Sequence, residues 1–419
     1  MTDRSAADPT DRVRASSLSL LFGLFYFVQG ISEPTEGLIV QPVQSLLKSW
    51  GQNAEQIATF AFLLSLPWSI KPVYGLISDF LPLGGFRRKS YLVVASAATS
   101  VSLLCLFARD LPAGAVDTLW LFLVVPTIGV AFSDVVIDAL MVETGQPRGL
   151  TGRLQAVQWS AIYAASILTG TLGGYLSQNS LQRWGFLLCG GITFGTMWLS
   201  LWVIQEPRAI VSREHFSLTM RDLRRAMATP AILAVGIFLF CWNFNPFSLT
   251  IRYLYITRTL GLSEQFFGNL KSLEAASAMA GSLLYGIYCR RLSMPILVHV
   301  SIVMGIVSVL AHWGLSGANS AAAVMAIYGF AMATGTMVLL DLAARACPAQ
   351  TAGTVFALLM SLANLSEGLS TALGGWCYET WLDRWGNPLA FNLLVGVGGL
   401  FSAACWLVVP LLHRTSADR

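Results

Sequence analysis

Charged side chains lie inside long apolar stretches of this 419-residue chain, and their type and position could do chemistry. If such stretches cross a lipid bilayer, a charge at the bilayer centre costs at least about 2.5–3.5 kcal/mol to insert. A charge kept at that cost is a candidate to bind a substrate, to carry a proton or to gate a pathway. The candidates are Glu33, Glu36, Lys71, Asp134, Asp138, Arg252, Lys271, Glu274, Asp341 and Glu367.

Asp134 and Asp138 are four residues apart, so on a helix they share one face. Two carboxylates this close favour holding a proton, which suits a proton carrier. The alternative is that one or both pair with Lys71 or Arg345 as structural locks. Asp138 and Asp341 take similar places in their apolar stretches, which favours a shared gating role for these two.

Lys71 is bracketed by Pro67 and Pro72, which should break the helical hydrogen-bond ladder around it. Its ammonium group could bind an anionic substrate, or it could neutralise Asp134 and Asp138. The sequence alone leaves both roles open.

Arg252 follows the run Trp242-Asn243-Phe244-Asn245-Pro246, and its guanidinium fork suits a substrate carboxylate. The alternative is a gate salt bridge from Arg252 to Glu33 or Glu36. Asn245 is a further candidate for substrate contact.

The remaining acids differ in their surroundings. Lys271 and Glu274 are three residues apart and could simply satisfy each other on a helix. Glu367 lies beside Asn364 in the middle of its stretch, and we expect it to be a ligand or a proton site.

Trp68, Trp159 and Trp242 lie beside polar residues inside apolar stretches. They could stack on a planar ring of a substrate, or they could be ordinary packing residues. Most other aromatic residues should face lipid or the membrane interface.

The composition indicates a membrane protein. Only 11% of residues are charged and 55% are hydrophobic, whereas about 25% of residues are charged in a typical soluble domain. The apolar runs are too long and continuous for the alternating strands of a β-barrel. The seven Cys and four His show no metal-ligand spacing, and no nucleotide-binding loop, cofactor or nucleic-acid partner is expected.

Polar and Gly/Pro-rich breaks divide the chain into twelve apolar segments, each near the roughly 20 residues of a membrane span. Of the 26 Lys and Arg residues, 18 fall on the side of the N-terminus and 5 on the opposite side. This asymmetry predicts that both termini lie in the cytoplasm, in an inner (plasma) membrane. The expected spans are 16–46, 56–80, 90–108, 118–144, 153–177, 184–205, 230–258, 264–288, 294–314, 321–346, 351–377 and 387–412.

The two halves of the sequence resemble each other. At an offset of 201 residues, the fifth and eleventh segments share seven identities, including Ser160/Ser361 and Gly173-Gly174/Gly374-Gly375. Two six-helix halves with a central loop are typical of the major facilitator superfamily, whose sites lie between the halves near mid-membrane. We therefore expect an all-α membrane protein with halves at residues 1–205 and 230–419, and a cytoplasmic loop at 206–229.

The loop after the second segment looks like a signature of that superfamily. It reads Gly75-Leu-Ile-Ser-Asp79, followed by Gly84-Gly85-Phe86-Arg87-Arg88-Lys89. Asp79 is expected to pair with Arg87 or Arg88 and to latch neighbouring helices, which is a gating role. Arg345 and Asp341 near the end of the tenth segment are assigned to gating as well.

Several longer motifs resemble the folate–biopterin transporter family, in order along most of the chain. They are Tyr26–Gly30, Leu66–Asp79 running on to Arg87–Leu92, Ser133–Glu143 followed by Gly152–Trp159, Arg345–Pro348 and Phe356–Leu365. The chain departs from the family pattern at Ser32–Glu36, where two acids lie within a span. The resemblance implies a transporter of folate or pterin-like compounds.

The sequence thus predicts a secondary transporter, not an enzyme, that moves a pterin-like or other small organic anion by alternating access. Thirteen charges lie in or at the ends of spans, nine of them acidic, and this excess favours coupling to protons. One alternative is a transporter of another amphiphile, such as a drug, siderophore or cell-wall fragment. The other is a non-transporting sensor or assembly factor, which would usually carry a soluble domain.

Overall fold

A computed structural model describes residues 9–208, 221, 225, 227–289, 291–347 and 352–417. The described residues are almost entirely helical, with no β-strand among the elements they form. The expected central loop 206–229 lies mostly outside these residues.

The N-terminal half consists of α1 to α8. Their bounds are Pro9–Ser32, Val40–Ser49, Ala54–Ser65, Lys71–Phe80, Lys89–Ala108, Val116–Gly145, Thr151–Gln178 and Gln182–Val203. The C-terminal half consists of α9 to α15. Their bounds are Pro230–Asn243, Leu249–Leu254, Glu264–Tyr288, Met294–Leu310, Ala318–Ala346, Ala352–Trp385 and Asn387–Ala417.

The twelve expected spans correspond in order to these helices, but the first, second and seventh are broken. By length and composition, eight helical stretches of the described residues can cross a membrane. The other four expected spans are the first and the seventh, which are broken, and α7 and α11. These two pack together through small residues, Gly170, Gly174 and Gly268 among them, so their low apolarity reflects a helix–helix interface.

The first span, expected as one helix over 16–46, stops at Ser32 and restarts at Val40. Pro34 cannot donate a backbone hydrogen bond, and the chain folds tightly enough that a Cβ on Gly37 would meet the carbonyl of Glu33. The Glu33 carboxylate accepts hydrogen bonds from the backbone and hydroxyl of Thr35. The break therefore places Glu33 and Glu36 on an irregular turn.

The seventh span, expected over 230–258, breaks after Asn243 around Pro246 and continues as α10 and a π-helical turn at Tyr255–Thr259. The second span contains a 3₁₀ segment, Leu66–Ile70, where Pro67 and Pro72 interrupt the ladder. The eleventh span, expected to end at 377, runs to Trp385. Discontinuous helices are typical of transporter sites, because freed backbone groups and helix ends face the cavity.

The two ends of the bundle differ in how the halves meet. We call the end with the Asp79–Lys89 loop the Arg88 end and the opposite one the Lys48 end. At the Lys48 end, Lys48 pairs with Glu264 of the other half, and Gln44 bonds Thr250 at 3.1 Å. The halves are thus joined at the Lys48 end.

Candidate functional site

A cavity of about 1700 Å³ lies between the two halves. It extends from Val43, Leu47 and Ile57 near the Lys48 end to Asp79 and Arg345 at the Arg88 end. Leu47 and Ile57 are buried, whereas the Asp79 and Glu143 side chains at the mouth are each 43% exposed. The cavity is therefore closed at the Lys48 end and open at the Arg88 end.

Lys71 lies on the cavity wall and pairs with Asp134. Its Nζ is 2.6 Å from Asp134 Oδ2 and 4.5 Å from the centre of the Trp68 ring. The side chains of Lys71 and Asp134 are 17% and 8% exposed. Of the two alternatives for Lys71, the pair with Asp134 is present, and the ammonium also faces the cavity where an anion could reach it.

Asp134 and Asp138 are held by neutral donors as well. Gln29 Nε2 donates to Asp134 Oδ1 at 2.5 Å. Asp138 accepts from Tyr26 Oη at 2.5 Å and from Gln158 Nε2 at 3.1 Å. Lys71 thus contacts Asp134, whereas Asp138 is held by neutral donors. Gln29 Oε1 is buried without a hydrogen-bond partner.

Glu33, Glu36 and Glu367 all line the cavity. Glu33 and Glu36 come from the break in the first span, and Glu367 comes from α14 of the other half. The three are close enough for Glu33 and Glu36 each to interact electrostatically with Glu367. This acidic group therefore joins the two halves within the cavity.

Trp68 and Trp159 line the same cavity. Trp159 packs at 5.9 Å, centre to centre, from the ring of Tyr163. Trp68 Nε1 is buried without a partner. The Trp68 ring beside Lys71, with Trp159 on the wall of the same cavity, suits a planar ring that carries an anionic group.

The gating candidates lie at the mouth of the cavity. Arg88 Nη2 is 2.6 Å from Asp79 and 2.7 Å from Glu143, so it ties together the second, third and fourth spans of one half. Arg345 makes a two-pronged pair with Asp341, with both N–O distances 2.9 Å. The expected Asp79–Arg88 pair is present.

Three expected substrate contacts lie outside the cavity. Trp242 packs into the core of the C-terminal half, where Gly305 and Gly335 leave room for its ring. Asn245 Nδ2 donates to Tyr328 Oη at 3.1 Å. Arg252 does not pair with Glu33 or Glu36.

Arg252 belongs to a buried cluster of the C-terminal half. Its Nη1 is 3.3 Å from Glu274 Oε2, and its guanidinium lies 4.6 Å from the centre of the Tyr328 ring. Glu274 is thus the partner of Arg252, and the pairing with Lys271 that the sequence suggested is replaced. Spacing along one helix could not show this, because Arg252 comes from a different helix.

The sequence did not indicate several polar contacts around the candidate site. Tyr26, Gln29 and Gln158 lie in the motifs Tyr26–Gly30 and Gly152–Trp159, but they were not among the candidates, because the candidates were chosen mainly by charge. Glu206 was also missed: its carboxylate accepts from the backbone N–H groups of Arg87, Arg88 and Lys89 at 2.9–3.0 Å. Its position at the end of α8, beside a basic loop, is the only signal that could have found it.

A helical bundle of two halves with a cavity between them is the architecture of the major facilitator fold. Solved structures share this fold. The D-xylose-proton symporter matches with a TM-score of 0.72 at 14% identity, over 93% of this chain and 97% of that one. A bacterial homologue of the human lysosomal transporter Spinster, inward-facing and occupied, matches with a TM-score of 0.70 at 14% identity, over 98% of both chains.

The chain belongs to the BT1 family, which matches residues 29–413. It is 28% identical to the folate-biopterin transporter of Synechocystis sp., over 83% of this chain and 72% of the relative. It is 26% identical to probable folate-biopterin transporter 4 of Arabidopsis thaliana, over 84% and 86%. The resemblance found in the sequence is confirmed, and the protein is a membrane transporter and not an enzyme.

Proposed function

We propose that this protein is a proton-coupled transporter of small organic anions, with folates and pterin-like compounds as the first candidates. The observation that carries the proposal is Lys71, an ammonium group on the wall of a cavity between two halves. The named relatives in Synechocystis and Arabidopsis support the choice of substrate class. Trp68 and Trp159 would flank the ring, and Lys71 would bind the anionic group.

Proton coupling follows from the charges around Lys71. When a substrate anion binds the Lys71 ammonium, Asp134 loses the one cationic partner that it has among the described residues. A buried unpaired charge is costly, so binding of a proton to the Asp134–Asp138 pair would accompany binding of the anion. Glu33, Glu36 and Glu367 are further candidates for the proton.

Alternating access is supported by the asymmetry between the two ends. The halves, which we place at residues 1–205 and 230–419 with a loop at 206–229, are joined at the Lys48 end and apart around the cavity mouth. Asp79, Arg87, Arg88, Asp341 and Arg345 would then regulate closure of the Arg88 end. By the distribution of basic residues, we place this end and both termini on the cytoplasmic side of the plasma membrane.

Uptake into proteoliposomes tests the proposal. Labelled folate, a labelled pterin and unrelated anions are offered with and without an inward proton gradient. We expect saturable uptake of at least one pterin compound that the gradient increases. Equal fluxes into vesicles with and without protein for every pterin would refute the substrate class, and a flux insensitive to the gradient would refute the coupling.

The variant Lys71→Gln tests the anion site. It should abolish uptake while the protein remains in the membrane. Arg183→Gln is the control, because it removes a positive charge that pairs with Asp110 within the same half and lies outside the cavity lining. Normal uptake by Lys71→Gln would show that the anion binds elsewhere.

A further inference from the structure

The backbone carbonyl of Trp68 receives a hydrogen bond from the opposite half of the protein. In a continuous α-helix this carbonyl would accept from the N–H of residue 72, but that residue is Pro72 and has no N–H. Asn364 Nδ2 of α14 donates to the Trp68 oxygen at 3.0 Å. A side chain of the C-terminal half thus compensates for a break in the N-terminal half.

Asn364 stands at the end of a seam between α14 and α3. A Cβ on Gly368 would lie 2.8 Å from Ser65 Oγ, and one on Gly375 would collide with Ala58. Glu379 accepts from the backbone N–H of Ala54 at 3.0 Å. The positions 364, 368, 375 and 379 are spaced by four, seven and four residues, so they lie along one face of the helix.

Beyond Asn364, towards the Arg88 end, α14 continues beside α4, and both helices line the cavity. Met360 and Thr354 of α14 line the cavity there, as do Leu76 and Phe80 of α4. Asn364 itself lies on the cavity wall, one turn of helix from Glu367, and its amide reaches the break that precedes Lys71.

We propose that Asn364 is a positioning residue for the anion site. By holding the Trp68 carbonyl, it fixes the 3₁₀ segment that carries the Trp68 ring and leads into Lys71. The ammonium is thereby presented to the cavity over the Trp68 ring and beside Asp134. This inference rests on the proposed function in so far as Lys71 binds the anion.

The first test separates substrate binding from turnover. Asn364→Ala leaves the carbonyl without its donor, and the KM for the transported anion should rise roughly tenfold, with a much smaller change in kcat. The matched control is Ser366→Ala, which removes another side-chain hydrogen bond of α14, to the Phe240 carbonyl at 2.6 Å, within one half. Equal KM values for the two variants would overturn the proposal.

The second test restores the missing backbone donor. Pro72→Ala supplies the N–H that the Trp68 carbonyl would accept in a regular helix. In this background Asn364→Ala should raise KM clearly less than it does alone. An undiminished rise would show that Asn364 acts through some other contact.

The third test needs no transport. In a chain whose seven native cysteines are replaced, the alkylation rate of Lys71→Cys reports the placement of that side chain in the cavity. Adding Asn364→Ala should change this rate several-fold, and adding Ser366→Ala should not. If the wild-type protein transports no anion, the proposed function fails, but the alkylation rates still test the role of Asn364. Equal alkylation rates of Lys71→Cys with and without Asn364→Ala would overturn that role.

Discussion

Neutralising Glu264 should open the Lys48 end of the protein. The Glu264 carboxylate binds Lys48 and also accepts from Gln41 Nε2 at 3.2 Å, both from the opposite half. Tyr253 Oη donates to it at 2.8 Å from the same half. Glu264→Gln keeps the size of the side chain and removes the charge that joins the halves.

The magnitude follows from the burial of the pair. A hydrogen bond to a charged group contributes about 1.5–3 kcal/mol, whereas an exposed ion pair contributes about 0–1 kcal/mol. The side chains of Lys48 and Glu264 are 23% and 14% exposed, so we take about 1–2 kcal/mol, between these limits. If the contact exists only in the state closed at this end, its loss shifts the conformational equilibrium roughly 5- to 30-fold.

Distances between spin labels measure this shift. Labels at Ser49 and Asp383, both exposed at the Lys48 end on different halves, should show a longer-distance population in Glu264→Gln and in Lys48→Met. The charge swap Lys48→Glu with Glu264→Lys should restore much of the closed population.

The matched control is the pair Arg183–Asp110, which is at the same end but within one half, with an N–O distance of 2.9 Å. Arg183→Gln should leave the distances unchanged. The reasoning is refuted if Glu264→Gln keeps the wild-type distances, or if the charge swap is as open as the single variants.

Four further changes test other parts of the structure. Glu206→Ala removes three backbone hydrogen bonds and should lower stability by about 1–3 kcal/mol; an unchanged Tm in detergent would contradict this. Arg252→Gln leaves the buried Glu274 unpaired, so the free energy of unfolding should fall by about 3–5 kcal/mol while KM stays unchanged. Replacing both residues by Leu should recover the stability. A changed KM with a normal Tm would argue against this structural role. Gly375→Leu places a large side chain between α14 and α3 and should lengthen the distance between the labels at Ser49 and Asp383. An unchanged distance would exclude close packing of α14 against α3 at Gly375. Asp134→Asn should retain exchange of anion across the membrane but lose accumulation driven by a proton gradient; intact accumulation would place the proton elsewhere.

The sequence determined much of this protein because the bilayer imposes simple constraints. Long apolar runs must form helices, because a helix makes all of its backbone hydrogen bonds within the segment. Hydropathy therefore predicted the number and order of the spans. Charges inside these runs were conspicuous for the same reason, and Lys71, Asp134, Asp138, Glu33, Glu36 and Glu367 do meet in or on one cavity.

Only the tertiary structure decided which charges share an environment. Arg252, like Lys71, is a basic residue inside an apolar stretch. However, the break at Pro246 and the short α10 place it in a buried cluster with Glu274 and Tyr328. Likewise Asn364 could not be matched to Trp68, because the bond depends on a seam between helices nearly 300 residues apart in the chain. Hydropathy and spacing describe one segment at a time. Pairing depends on the rotation and depth of helices from different parts of the chain, and the packing of those helices against each other fixes both.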